Sequence, residues 1–418
     1  MKGGGVARKS LSAIIMRIFS AFSALCMSAA VTNGLGGEEA GRFFLIFAAI
    51  QFLSAVSRCG LDNVLLRYCG IEVPDSGYLY AQSVTSKSIV AVTLVGVIFG
   101  SIVYIFSDIL SVIFFKDAIH SSLFHLVPFG VLGLAFSVIF AMALQGIGRV
   151  SSSIFVMNIV GNLCVTVFML SDIVETAQQV VLVYVISCFG AALLGRVIFS
   201  QCVVNNERVP LGWEKLFQSS MPLWVVVILD QASIWAGQMI ASIYGGMGEV
   251  AHFAVAQRVS MIISFALVAV SMVVAPRFAS LFHNGQREDI EKLYKKTTLA
   301  LFVLAVPLGL FFVVFADVLL SFFGEGFEAA SLFLRILVLG QLVYVATGPS
   351  GYLLMMSSNE KDVRSALLVS APVGLLVAMA ITPLYGVVGC AIGTAIAVGL
   401  QNVIAAFYVK KRFGFGLF

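Results

Sequence analysis

The sequence is short of charge. Of its 418 residues, 11% are Asp, Glu, Lys or Arg, where water-soluble domains carry about 25%. With 60% hydrophobic residues and a mean hydropathy of +1.04, there is too little polar surface to cover a water-facing fold, so a soluble globular domain is excluded. A dense basic patch is also missing, which excludes nucleic acid as a partner. The seven cysteines (Cys26, Cys59, Cys69, Cys164, Cys188, Cys202 and Cys390) form no CxxC pair and lie mostly in apolar runs. They read as small hydrophobes rather than disulfides or metal ligands. Walker lysine, HExxH and GxSxG motifs are all absent, so no ATP-binding module, zinc-protease site or hydrolase elbow is expected. The chain is expected to be neither an enzyme nor a cofactor carrier. A cleaved leader is not expected either: Arg17 interrupts the apolar run that follows the basic segment Met1–Lys9, so this run reads as a retained first helix.

What is present is a succession of long apolar stretches. Twelve are long enough to cross a bilayer, which takes about 20 residues each; they begin with Leu11–Thr32 and Gly41–Asp62 and end with Arg364–Pro383 and Gly386–Tyr408. With the N-terminus placed in the cytoplasm, inner segments hold 18 of the 25 basic residues, and the outer loops and their margins hold only Arg42, Lys116 and Arg335. That asymmetry sets both termini inside. The segment Phe278–Lys296 places Ile290, Leu293 and Tyr294 on one face, which suits a short helix on the inner membrane surface or a solvated linker.

The stretch LGGEEAGRFFLIFAAIQFLSAVSRCGLDNVLLRY, Leu35–Tyr68, has an echo at Gly245–Phe278. Glu39 aligns with Glu249, Phe43 with Phe253 and Arg67 with Arg277 at one constant offset. The fold class predicted is therefore an all-α polytopic membrane protein: twelve transmembrane helices in two six-helix lobes, residues 1–208 and 209–418, related by a pseudo-two-fold axis along the membrane normal. The boundary is placed near Arg208–Pro210.

Polar residues within the spans are the candidate working parts, because charge there is costly. Arg17 lies on the first helix. Gln51, Arg58 and Asp62 share a stripe on the second, where Arg58 and Asp62 can pair at i,i+4. Asp230 lies near the middle of the seventh, followed at helical spacing by Gln231, Trp235 and Gln238. Aspartate is too short to snorkel, so Asp230 is a candidate functional carboxylate able to exchange a proton. Gln257 and Arg258 lie on the eighth helix. Gln341 and the Gly348-Pro349-Ser350-Gly351 break lie on the tenth, where Pro349 should kink the helix as a gate.

The motifs LGGEEAGRF, GLDNVLLR, FAVAQRV, APRFASLF, FFGEGFEAASLFLRILVLGQ, NEKDVR and PLYGVVGCAIGTAIA resemble, in order along nearly the whole chain, the Wzx-type O-antigen flippases of the multidrug/oligosaccharidyl-lipid/polysaccharide exporter superfamily. The resemblance implies a MATE-like pair of lobes around a central cavity, working by alternating access. It implies an undecaprenyl-diphosphate-linked oligosaccharide as substrate for surface polysaccharide synthesis, H+ or Na+ as coupling ion, and contact with membrane lipid and polysaccharide polymerase machinery. Arginine suits a diphosphate, and Gln and Trp suit sugars. Two alternatives stand beside it: a multidrug/cation antiporter of the same superfamily, and a non-transporting scaffold for polysaccharide enzymes.

Overall fold

The computed structural model describes residues 3–71, 80–203 and 212–416, and among them it is helical with no strand. Helices are what a chain this apolar must form, since lipid offers no partner to an open backbone. Ten helices among the described residues are long and apolar enough to cross a membrane. Helix α1 (Gly3–Ser57) holds two of the expected crossings, merged across the non-helical Gly36 (φ 75°, ψ 175°). One further crossing is split at Met261 into α10 (Met247–Ser260) and α11 (Ile262–His283). Counted this way, the twelve expected crossings are all present. The chain packs as two compact units, Met1–Gln231 and Ala232–Phe418, and the division falls inside α9 (Trp213–Tyr244). The expected lobe boundary near Arg208–Pro210 lies outside the described residues.

The first unit contains α1, α2 (Leu61–Cys69), α3 (Ala81–Ile105), α4 (Ser107–Phe115) and α5 (Ser121–Gly146). They are followed by α6 (Val150–Ile154), a π-helical turn at Phe155–Ile159, α7 (Val160–Leu170) and α8 (Ala177–Cys202). Its core joins Leu61, Leu65, Val84, Ile139, Leu144 and Phe199. The sharpest feature is the elbow between α1 and α2, where Cys59 (φ 51°) and Gly60 (φ 72°) are both left-handed. A Cβ on Gly60 would stand 2.6 Å from Ser220 O and 2.9 Å from Trp224 N on α9. Only glycine meets both the backbone angle and this close approach. Trp224 Nε1 donates to Val56 O at 2.8 Å, which occupies a carbonyl at the open end of α1.

The second unit contains α10, α11, α12 (Arg287–Val314), α13 (Ala316–Ser321) and a 3₁₀ turn at Phe327–Ala330. Then come α14 (Ser331–Ala346), α15 (Ser350–Met356), α16 (Glu360–Tyr385) and α17 (Val388–Phe413). A turn over Pro383–Gly386 is expected between the last two crossings, but α16 continues through Pro383 to Tyr385 and the reversal is made at Gly386 (φ 64°, ψ −155°) and Val387. Helices α16 and α17 meet through small residues: a Cβ on Gly393 would stand 2.5 Å from Gly374 O, the close approach typical of helices in lipid. The segment expected as a surface helix or linker is neither. After a turn at Asn284–Gln286 the chain enters α12 directly. Ile290 and Tyr294 are buried against Phe278, Leu353 and Val409, so the apolar face of this segment finds protein instead of membrane surface.

The expected break on the tenth crossing separates α14 from α15 at Thr347–Pro349. Gly348 has φ 69°, and a Cβ there would collide with Thr298 Oγ1. The carbonyls freed by the break are taken up locally. Asn402 Nδ2 on α17 donates to Tyr344 O and, at 3.3 Å, to Gly348 O. Tyr294 Oη donates to Thr347 O at 3.4 Å and shares a hydrogen bond with Ser350 Oγ at 2.8 Å.

Two stability measurements test these joints. Gly60→Ala should destabilise by about 2 kcal/mol or more, from the left-handed backbone plus the clash; an unchanged melting temperature in detergent would refute the elbow's close contact. Asn402→Leu removes a buried donor from two carbonyls and should cost about 1–3 kcal/mol. Melting equal to wild type would show that the break needs no stitch.

Candidate functional site

The polar residues singled out from the sequence fall into three physical groups. The first group consists of closed pairs. Arg58 is 8% exposed, and its Nε donates to both Asp62 carboxylate oxygens at 2.9 and 3.1 Å. Its Nη1 donates to Ser54 Oγ at 2.9 Å. Ser54 belongs to α1 and Asp62 to the first turn of α2, so this guanidinium staples the elbow from both sides. Gln51, one stripe position earlier, donates to Tyr184 Oη on α8 at 3.3 Å, within a cluster formed by Phe43 and Phe47 around the Tyr184 ring. Gln238 and Gln257 are buried together: Gln238 Nε2 donates to Gln257 Oε1 at 2.9 Å, and Gln257 Nε2 donates to Ile234 O at 2.6 Å. The two amides lock the second half of α9 to α10.

The second group holds charge without a counter-charge. Asp230 lies in the span Leu223–Tyr244. Its Oδ2 accepts from Gln231 Nε2 at 3.2 Å, and among the described residues it enters no ion pair. Arg17, on the first span, has its Nε buried without a hydrogen-bond partner among the described residues, and it too is absent from every ion pair there. A charge kept in an apolar span without a neutralising neighbour is costly.

The third group lies apart from these. Gln231, Trp235 and Arg258 are half-buried on α9 and α10. Gln341 on α14 is buried, and its Oε1 accepts no hydrogen bond among the described residues. Pro349 caps α15 at the stitched break. The structure thus brings together Arg58 with Asp62, Gln238 with Gln257, and Asp230 with Gln231. It gives Gln51 a partner of its own.

Several working side chains were not singled out from the sequence. Trp224, Tyr184 and Asn402 each supply one polar atom on an otherwise apolar helix. For Asn402 the signal was available, since an amide in a membrane span usually has a partner. The duplicated acids also proved structural. Glu39 Oε2 accepts from Ala177 N at the start of α8 at 2.9 Å, while its Oε1 pairs with Arg42. Glu249 Oε2 accepts from Gly246 N at 3.1 Å at the start of α10. Both sit where a carboxylate satisfies a helix's open amides.

With the geometry in hand, comparison with known proteins places the chain. The family model described as "Polysaccharide biosynthesis protein" matches residues 6–282, and the MatE model matches residues 222–380. A relative from Haloferax volcanii, described as a probable low-salt glycan biosynthesis flippase, Agl15, is 22% identical over 97% of this chain and 84% of its own length. Among solved structures, the lipid II flippase MurJ in an inward closed conformation aligns at TM-score 0.74 and 16% identity, over 95% of this chain and 87% of its own. An inward-facing multidrug resistance MATE transporter aligns at TM-score 0.73 and 15% identity, over 96% and 98%. The fold is that of these transporters, as the sequence resemblance implied. The chain belongs to the polysaccharide biosynthesis protein family, within the multidrug/oligosaccharidyl-lipid/polysaccharide exporter superfamily that also holds the MATE transporters.

Proposed function

We propose that this protein is a flippase that carries a polyprenyl-diphosphate-linked oligosaccharide from the cytoplasmic to the outer leaflet of a bacterial inner membrane, with both termini in the cytoplasm. No bond is made or broken; the work is relocation of a polar headgroup by alternating access. The observation that carries this reading is the division of labour among charged residues in the spans. Arg58 is held by Asp62 and Ser54, whereas Arg17 and Asp230 sit in apolar helices outside any ion pair among the described residues. A guanidinium is the side chain best matched to a diphosphate, so Arg17 receives the pyrophosphate. Arg258, Gln231, Trp235 and Gln341 engage the sugars. Asp230 exchanges the coupling ion, H+ or Na+, and the stitched break at Pro349 supplies the gate. The family match and the glycan-flippase relative support the substrate class. Contact with polymerase machinery follows from the same role, since the product must be handed on.

The MatE match over residues 222–380 favours one rival reading, a cation-exporting antiporter. Reconstitution separates the two. In proteoliposomes the wild type should flip undecaprenyl-diphosphate oligosaccharide and do so faster with an inward pH or sodium gradient. Arg17→Gln and Asp230→Asn should each lower the rate by about tenfold or more without lowering the melting temperature. Arg58→Gln should do the reverse, lowering stability first. Gradient-dependent export of organic cations with no flipping of lipid-linked sugars would transfer the assignment to the antiporter. Flipping unaffected by either span variant would remove Arg17 and Asp230 from the mechanism.

A further inference from the structure

The first unit holds a cavity of about 690 Å³ between α3, α5 and α8 that none of the candidate site residues lines. Its lining changes character along its length. Gln82 and Ser86 stand on the first turns of α3, and Arg196 and Ser200 on the last turns of α8. By the basic-residue asymmetry of the loops, these are the inner ends of both helices. Deeper along α8 the wall becomes apolar, reaching Phe189, with Phe136 facing from α5. From Ser200 to Phe189 at 1.5 Å per residue, that wall runs about 16 Å into the hydrocarbon.

Three facts narrow the occupant. Arg196 and Ser200 line the cavity and are exposed. Arg196 enters no ion pair among the described residues, and no Asp or Glu among them lines the cavity. The volume is in the range of sites that enclose a small ligand. An anion at the interface with an apolar chain pointing inward is the chemistry that satisfies all three. A single guanidinium flanked by hydroxyl and amide groups fits one phosphate, and hydrocarbon suits the phenylalanine wall.

We infer that this groove is a binding site for an anionic glycerophospholipid of the inner leaflet, its phosphate on Arg196 with Gln82, Ser86 and Ser200 and one acyl chain along Phe136 and Phe189. The lipid is a resident ligand of the first unit and is distinct from the transported one. It fills a wedge between three helices and holds α3 and α8 at a set spacing over α5.

Native mass spectrometry of the full-length protein, titrated with phosphatidylglycerol or phosphatidylcholine, tests this. Wild type should retain one phosphatidylglycerol in preference to phosphatidylcholine. Arg196→Gln should lose that preference, with affinity for phosphatidylglycerol falling by about tenfold. Leu193→Trp, an exposed lining position, should block the groove and weaken both lipids. Glycerol 3-phosphate should not compete, since it lacks the chain. Equal phosphatidylglycerol retention by wild type and both variants would overturn the site. So would displacement by glycerol 3-phosphate, which would make it a free-phosphate pocket. Melting temperatures of both variants equal to wild type without added lipid separate lost binding from lost folding.

Discussion

Inside hydrocarbon a backbone carbonyl or amide that finds no partner is expensive, and three joints in this fold are arranged around that fact. Where a helix runs unbroken the condition is met automatically. At these three joints a side chain from another helix arrives. Trp224 covers the end of α1 at the elbow, and Asn402 and Tyr294 cover the break between α14 and α15. Glu39 covers the start of α8. The breaks are therefore specific joints, each with a named partner and, at Gly60 and Gly348, a residue that no side chain can replace without strain.

The same condition sorts the charges. A charged group in a span can be neutralised by the protein or reserved for something that passes through. Arg58 belongs to the first kind, with Asp62 and Ser54 engaging its Nε and Nη1 donors. Arg42, close to Glu38 and Glu39, belongs there too. Arg17 and Asp230 enter no ion pair among the described residues, and under the proposed function they belong to the second. The distinction matters because sequence spacing treats all of them alike: each is a polar residue on a helical stripe. Only the partner decides which ones are structural.

The larger features were legible in the sequence because they depend on composition and short spacing. Hydropathy locates the crossings, the i,i+4 step gives the Arg58–Asp62 pair, and Gly348-Pro349 announces the break. The internal echo of Glu39 in Glu249 marks two carboxylates that each serve a helix start. What was not legible depends on partners far along the chain. Gln51 finds Tyr184, and Gln238 turns to Gln257, because neighbouring helices happen to present those faces. Periodicity shows that a face is polar but not what it meets. The segment holding Tyr294 reads from sequence as either a membrane-surface helix or a solvated linker, because its apolar neighbours suit either lipid or protein and only packing decides between them.

The π turn at Phe155–Ile159 lies within the fifth crossing, between its two polar contacts with the first. Before it, Ser151 donates to Ser12 at 3.1 Å; after it, Asn162 donates to Ser23 at 3.3 Å. A π turn is one residue more than the α-helix needs, and each residue turns the helix by about 100°. That extra residue works as a phase adjuster: it lets two helices with different side-chain rhythms keep polar contact at both ends of a shared seam. The fifth crossing could shed it and still reach across the bilayer, but Asn162 would then point around the helix, away from Ser23.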